Sequence, residues 1–202
     1  VPRHSNGGGE SMNKSIMIVG VGGQGSLLAS KMLGHVVMQA GYDVKVSEVH
    51  GMSQRGGSVV TYVKYSDEKV WSPVINEGEA DIIISFELLE AARWVGFLKK
   101  DGAVVVNNQE IAPMPVITGA AVYPENIGEK LSQIGVNLKL VDALKLAEEA
   151  GSAKATNVVL MGAVANVLDF PEEMWQKAID ECVPPKFLEL NRKAFALGRQ
   201  CR

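Results

Sequence analysis

Between residues 15 and 41 the chain changes character twice, and those changes limit what it can fold into. Ser15-Ile-Met-Ile-Val19 is a short uncharged run rich in Ile and Val, the pattern of a buried parallel strand. Leu27, Leu28, Met32, Val36 and Val37 then recur at helical spacing across Ser26–Ala40, and Gly41 ends the pattern. Gly20-Val-Gly-Gly-Gln-Gly25 joins the two. Gly20, Gly22 and Gly25 satisfy G-x-G-x-x-G between a strand and a helix, where glycine permits a tight turn and close backbone approach. Free N–H groups and the positive dipole end at the helix start favour an anion there. Tight strand–helix packing alone also asks for glycines, and Gly23-Gln24 puts an extra glycine and a bulky polar residue inside the loop.

The rest of the chain continues the alternation. Strands are expected at Asp43–Val49, Ser58–Tyr65, Ala80–Phe86, Ala103–Asn107 and Asn137–Val141, with a hairpin turn around Ser66–Glu68 leading to a short strand at Val70–Trp71. Helices are expected at Glu87–Leu98, Pro124–Ile134, Ala143–Ala150, Thr156–Leu168, Glu172–Cys182 and Pro185–Gly198. Pro113 and Pro115 break the pattern before Val116–Thr118. Strands alternating with helices imply an α/β fold: a three-layer α/β/α sandwich with a mostly parallel, Rossmann-like sheet and a helical C-terminal tail.

A second loop concentrates chemistry. Glu48-Val-His-Gly-Met-Ser-Gln-Arg-Gly-Gly-Ser58 places Glu48, His50, Ser53, Gln54 and Arg55 among Gly51, Gly56 and Gly57. No core-building rule asks for that mixture, whereas function-bearing loops on a rigid scaffold look like this. Arg55 offers a planar fork suited to carboxylate or phosphate, and imidazole titrates near neutral pH. An anchoring role for His50 and a surface charge for Arg55 are the plainer alternatives. Glu48 stands near the place of the ribose-binding acid of a dinucleotide site, a little late. Both loops follow strands, and in parallel α/β sheets the carboxyl ends of strands form the ligand edge, so the loops are expected to be neighbours. His35 reads as a locally packed helix residue, Met52 as an interface packer and Asn157 as a helix cap. Trp71, Trp94 and Trp175 read as core or interface residues.

Composition narrows the function classes. With 47% hydrophobic and 21% charged residues the chain has ordinary globular usage, enough for one core. A net charge of −3 argues against a general nucleic-acid binder, and no apolar run is long enough to span a bilayer. Residues 1–11 read as a disordered cloning remnant and residues 12–202 as a single domain. The two cysteines, Cys182 and Cys201, lack metal-ligand spacing and fit a reducing cytoplasm. Cys182 reads as a small packed residue. Two thiolates are too few to hold an iron–sulfur cluster, and no metal site is expected in this chain.

Together the two loops resemble the gamma-type domain of 2-oxoacid:ferredoxin oxidoreductases. The likeness extends through Gly78-Glu-Ala-Asp81, Phe86-Glu-Leu-Leu-Glu-Ala91, Val105-Val-Asn107, Lys154-Ala-Thr-Asn157 and Val183-Pro-Pro-Lys-Phe187 with Asn191 and Ala194-Phe195. It covers essentially the whole chain from Lys14. The version His50-Gly-Met-Ser-Gln-Arg-Gly-Gly57 is most similar to the beta subunits of the indolepyruvate branch. The resemblance implies a subunit of a complex that oxidatively decarboxylates a 2-oxoacid, with indolepyruvate or another aryl pyruvate as substrate. In such a complex thiamine diphosphate with Mg²⁺ and [4Fe–4S] clusters lie on a larger catalytic subunit. Electrons leave to ferredoxin through the complex, and coenzyme A accepts the acyl group as substrate. This chain has neither a Gly-Asp-Gly segment with paired asparagines nor a Cys-x-x-Cys run, so it is expected to bind no cofactor alone and to be inactive alone. Asn107-Asn108 is an asparagine pair that no Gly-Asp-Gly precedes. No catalytic residue is assigned. The ligand- or partner-facing loops are Gly20, Gly22, Gly23, Gln24, Gly25, Glu48, His50, Gly51, Ser53, Gln54, Arg55, Gly56 and Gly57. Neither nucleic acid nor membrane is an expected partner, and a homo-oligomer is open to the isolated chain. On the glycine loop alone, a stand-alone NAD(P)- or flavin-dependent dehydrogenase stays open as the alternative.

Overall fold

A computed structural model describes residues 12–51 and 57–201. The strands are β1 (Asn13–Val21), β2 (Asp43–His50), β3 (Ser58–Ser66), β4 (Ala80–Ser85), β5 (Leu98–Asn107) and β6 (Asn137–Val141). The helices are α1 (Ser26–Gln39), α2 (Leu88–Trp94), α3 (Met114–Ile117), α4 (Ile127–Gln133), α5 (Ala143–Ala150), α6 (Thr156–Val164), α7 (Glu172–Cys182) and α8 (Leu188–Arg199). The strands form one six-stranded sheet in the order β2-β3-β1-β4-β5-β6. The pairings β1–β4, β4–β5 and β5–β6 are parallel, while β3 runs antiparallel to both β1 and β2.

Alternation along β1 explains the two faces. Ile16 and Ile18 point to the side covered by α1, α6, α7 and α8, where Val36, Leu160, Trp175 and Phe195 are buried. Met17 and Val19 point to the other side with Ile83, Val104, Val106 and residues of α2 and α4. This is the expected three-layer arrangement, with a mixed but mainly parallel sheet.

Several expected elements differ. Val70–Trp71 is not a strand. Because β3 is already hydrogen-bonded on both edges, a hairpin partner has no free edge to join. Val70 N–H instead donates to Asp43 Oδ2 at 2.8 Å, and Trp71 is left 82% exposed. The helix expected at Glu87–Leu98 ends at Trp94, and Val95–Phe97 forms a single 3₁₀ turn. The segment after Pro113 is the one-turn helix α3, with proline at its start. The helix expected from Pro124 begins at Ile127, after Asn126 in a left-handed conformation at φ 57°. α6 stops at Val164, short of Leu168, and Pro185–Phe187 is a 3₁₀ turn ahead of α8.

α6 is the pivot of the helical layer. Every residue from Asn157 to Val164 is buried, so this helix has no solvent face. It lies against the sheet on one side and is crossed by α8 on the other. At the crossing two glycines meet. A Cβ on Gly162 would overlap Phe195 O and stand 3.0 Å from Gly198 Cα, and a Cβ on Gly198 would overlap Val159 O. The clashing atoms are backbone, so a rotamer change cannot relieve them. Gly162→Ala or Gly198→Ala should therefore cost about 1–3 kcal/mol through overpacking, against the small gain alanine gives an exposed helix. Urea unfolding should show a lower midpoint at unchanged slope. An unfolding free energy within about 0.5 kcal/mol of wild type would mean that the crossing is loose.

Candidate functional site

At one edge of the sheet β1, β2 and β4 to β6 all end and β3 begins. The glycine loop leaves β1 there. Gly22 N–H donates to Gly57 O at 2.9 Å, which ties it to the end of the second loop. Gln24 folds back and fastens the turn: its Oε1 accepts Val21 N–H at 2.7 Å, and its Nε2 donates to Phe86 O at 3.1 Å beyond β4. Gly20 is needed for that packing, because a Cβ would lie 2.9 Å from both Gln24 Oε1 and Phe86 Cβ. Gly25 has φ 88° at the start of α1, and a Cβ there would collide with the Asn157 amide. Gly23, at φ 100°, has open space beside it and is exposed. Packing thus accounts for Gly20 and Gly25, whereas Gly23 faces solvent. α1 starts with no side-chain cap and no acidic residue in its first turn, so its positive end is uncompensated.

The turn stands between two clefts. One, of about 450 Å³, is lined by Gly22, Gly23, Gly25 and Ser26 together with Glu48, His50 and Val59. The other, of about 500 Å³, lies between Gly23–Gly25 and Lys154, Thr156, Asn157 and Gln109. The structure thus sets Glu48 and His50 beside the glycine loop. Both are exposed; His50 Nδ1 lies 3.2 Å from the neighbouring Gly51 O. Ser53, Gln54, Arg55 and Gly56, with Met52, lie outside the described residues. In a dinucleotide-binding unit the ribose acid follows a strand bonded to the first strand. Here β1's neighbours are β3 and β4, so Glu48 lies near the end of a strand once removed, β2.

Asn157 is not the cap of its own helix; that position is Ala155. The Asn157 amide instead donates to Gly25 O at 3.4 Å and ties α6 to the glycine loop.

A buried carboxylate pair under this edge escapes sequence reading. Glu90 accepts from the Ser58 hydroxyl, from Arg93 Nε at 3.1 Å and from Trp94 Nε1 at 3.2 Å. Glu87 caps α2 by accepting Glu90 N–H, and it accepts the Tyr123 hydroxyl at 3.0 Å. The two carboxylates line a pocket of about 240 Å³ with Val21, Gly57, Ser58 and Arg93, beneath Pro113–Pro115. The available signal was Glu-x-x-Glu directly after a strand. Desolvation pushes the Glu87 carboxyl above its usual range, against the N–H groups of Glu90 and Leu89 and the Tyr123 hydroxyl, which pull it down. Burial first, then the Glu87 charge, raises the Tyr123 phenol.

Of the asparagine pair, Asn107 is buried and engaged within the fold, while Asn108 is exposed. Asn107 Oδ1 accepts Ala143 N–H at 3.1 Å, and its amide donates to Phe86 O and to Gln109 Oε1. Asn108 donates to Asp142 Oδ1 at 2.9 Å. With Asn107 engaged in this way and no Gly-Asp-Gly ahead of the pair, the two asparagines do not make a thiamine diphosphate site. Among the described residues no three His, Cys, Asp or Glu side chains are grouped to hold a metal ion, and no helix is long and apolar enough to cross a membrane.

Fold and site define an α/β domain whose glycine turn and polar loop share the carboxyl edge of a mainly parallel sheet. Residues 15–201 match the pyruvate ferredoxin/flavodoxin oxidoreductase family, and the chain belongs to that family. It is 46% identical over 191 residues to the indolepyruvate oxidoreductase subunit IorB of Thermococcus kodakarensis, covering 91% of this chain and 93% of the relative. The pyruvate oxidoreductase subunit PORC from Thermotoga maritima has the same fold, with a TM-score of 0.70 at 24% identity, covering 92% of this chain and 94% of that one. The fold recurs within the 2-oxoglutarate:ferredoxin oxidoreductase from Magnetococcus marinus, with a TM-score of 0.67 at 18% identity over 93% of this chain and 30% of that one.

Glu87 makes a test of the carboxylate pair. A raised carboxyl pKa means that the native state binds more protons than the unfolded chain. The stability Glu87 contributes is therefore full below its ordinary pKa of 4.5 and is lost as pH rises through the native value. Glu87→Gln removes that titration. Its melting temperature should fall less than that of wild type as pH is raised from about 4.5, and parallel curves would reject the assignment.

Proposed function

We propose that this chain is the small subunit of a 2-oxoacid:ferredoxin oxidoreductase of the indolepyruvate type. The reaction is oxidative decarboxylation of an aryl pyruvate to its acyl-coenzyme A, with electrons passing to ferredoxin. Thiamine diphosphate and the iron–sulfur clusters belong to the larger subunit. The observation that carries this reading is the full-length match to an indolepyruvate oxidoreductase subunit at 46% identity, both chains being nearly completely covered. Two further facts support it. Asn107 is engaged within the fold and no Gly-Asp-Gly precedes it, and Cys182 and Cys201 are too few for a cluster.

The chain's own contribution is a wall. Gly23 and the uncapped start of α1 present backbone N–H groups to one cleft, and Lys154 stands across the other. These are donors for the phosphate groups of coenzyme A. Glu48 and His50 line the cleft beside the glycine loop and in the complex face the approach to the partner's reactive centre; Ser53, Gln54 and Arg55 follow them in the sequence. They orient the incoming coenzyme A thiol, the acyl acceptor, and exclude bulk water.

The chain alone, assayed anaerobically with indolepyruvate, coenzyme A and a viologen acceptor, should show no turnover. Adding the larger subunit should restore it, and air should abolish it. Turnover by the single chain would overturn the reading. So would NAD binding in the micromolar range, about −8 kcal/mol, which would favour a stand-alone dehydrogenase. In the reconstituted complex, Arg55→Ala should raise KM for coenzyme A about tenfold, the loss of one charge-assisted hydrogen bond of about 1.4 kcal/mol. The melting temperature of the free chain should not move. Unchanged kinetics with assembly intact would make Arg55 an ordinary surface charge.

A further inference from the structure

Between β5 and α4 the chain leaves the body of the domain. Ile111–Pro124, Ile-Ala-Pro-Met-Pro-Val-Ile-Thr-Gly-Ala-Ala-Val-Tyr-Pro, contains no Asp, Glu, Lys, Arg or His, in a protein with 21% charged residues. Its large apolar side chains are outside: Met114 is 64% exposed, Ile117 66% and Val122 88%. Of its two polar side chains, exposed Thr118 bonds its own backbone and Tyr123 reaches inward. The Thr118 hydroxyl donates to Met114 O at 3.0 Å, and the Tyr123 hydroxyl donates to the buried Glu87 at 3.0 Å. What remains outside is an apolar surface, which a protein working alone would not maintain.

The segment is held in shape. Val116 N–H donates to Pro113 O at 2.9 Å, Thr118 N–H to Met114 O at 2.9 Å, and Ala121 N–H to Pro115 O at 3.0 Å. Both ends are fastened at the start of α2: Leu88 N–H donates to Gln109 O at 2.9 Å at the entrance, and the Tyr123–Glu87 bond closes the exit. Pro113 and Pro115 restrict the backbone further. A projection ordered before it meets its partner loses little entropy on docking.

We infer that Ile111–Pro124 is the docking arm by which this chain seats on the larger subunit, in an uncharged apolar groove of that subunit. The inference rests on the proposed function and adds the surface that joins the two chains. Continuity favours it. Ile111 lines the cleft it shares with Gly23–Gly25, and Pro113–Pro115 roof the pocket that reaches Gly57. A partner covering this edge therefore meets the arm at the same time. Charge argues against a second copy as the occupant. The clefts at this edge carry Glu48, Lys154 or Glu87, and those at the opposite edge carry Lys99 and Asp101. An uncharged arm inserted there would take those charged groups out of water and offer them no counter-charge.

The test is co-expression of the full chain with an affinity-tagged larger subunit from the same source. Wild type should co-purify with it. Met114→Glu with Ile117→Glu should weaken that association at least about 100-fold, with the circular dichroism and melting temperature of the free chain unchanged. Met114→Leu with Ile117→Val should keep it. Should the double glutamate variant fail to fold, Val122→Glu, at the most exposed position of the arm, probes the same surface and should also weaken binding. Undiminished association of the variants would overturn the arm while leaving the functional reading intact. So would loss of self-association of the free chain, read by light scattering, with the mixed complex preserved; that result would make the arm a contact between copies. Failure of wild type itself to bind the larger subunit would overturn the functional reading, and the arm with it.

Discussion

The close crossing of α6 and α8 is the constraint on which the functional edge depends. An α-helix buried on every side needs apolar neighbours all round, and it can lie within the domain only if a second helix comes near enough to leave no void. Gly162 and Gly198 permit that approach because each meets the other helix's backbone where a Cβ would stand. The consequence reaches the site directly. α6 begins beside the glycine loop, and Asn157 at its first turn holds Gly25 O. A displacement of α6 would move that amide and loosen the turn, so the helix crossing and the loop are parts of one arrangement.

The same economy governs the strand order. β3 pairs with β1 from Asn13 to Val21 and with β2 from Asp43 to His50, an insertion that leaves β2 as an edge strand. It brings the start of β3 to the end at which β1 and β2 stop. That is why Gly57 O meets Gly22 N–H, and why His50 and Glu48 open onto the glycine turn without belonging to a dinucleotide unit. The exposed Val46 and Val49 of β2 are the cost of that edge, which has no further strand to cover it.

Much of this was legible in the residues. Periodicity located Ala143–Ala150 and Glu172–Cys182 to the residue, since amphipathic helices bounded by Gly151 or Pro171 carry their limits locally. The two loops could be picked out because glycine and mixed polar residues serve no core. Strand neighbours could not be read, because alternation is the same whether a partner runs parallel or antiparallel. The false strand at Val70–Trp71 arose from that gap. Contacts between distant segments were equally hidden. Nothing near Asn157 in the chain announces Gly25, and nothing near Glu90 announces Ser58. Local pattern suggested a cap for the first and no role for the second; both turn out to join elements that meet only in the folded sheet.

The glycines of the first loop divide by physical role, and the division says where ligand chemistry can lie. Gly20 and Gly25 are required by their neighbours, Gln24, Phe86 and Asn157, so their presence would follow from packing even without a ligand. Gly23 has no such neighbour. It adopts a φ of 100° in open space between the two clefts, where any side chain would be strained and would stand in the path between them. Packing does not ask for a bare backbone at that point. The left-handed turn does, and under the proposed function the same bare backbone lets a phosphate group come close to the N–H groups at the start of α1. The rigid turn and the open residue are therefore complementary: Gln24, tied to Val21 and Phe86, holds the loop still so that Gly23 can leave it accessible.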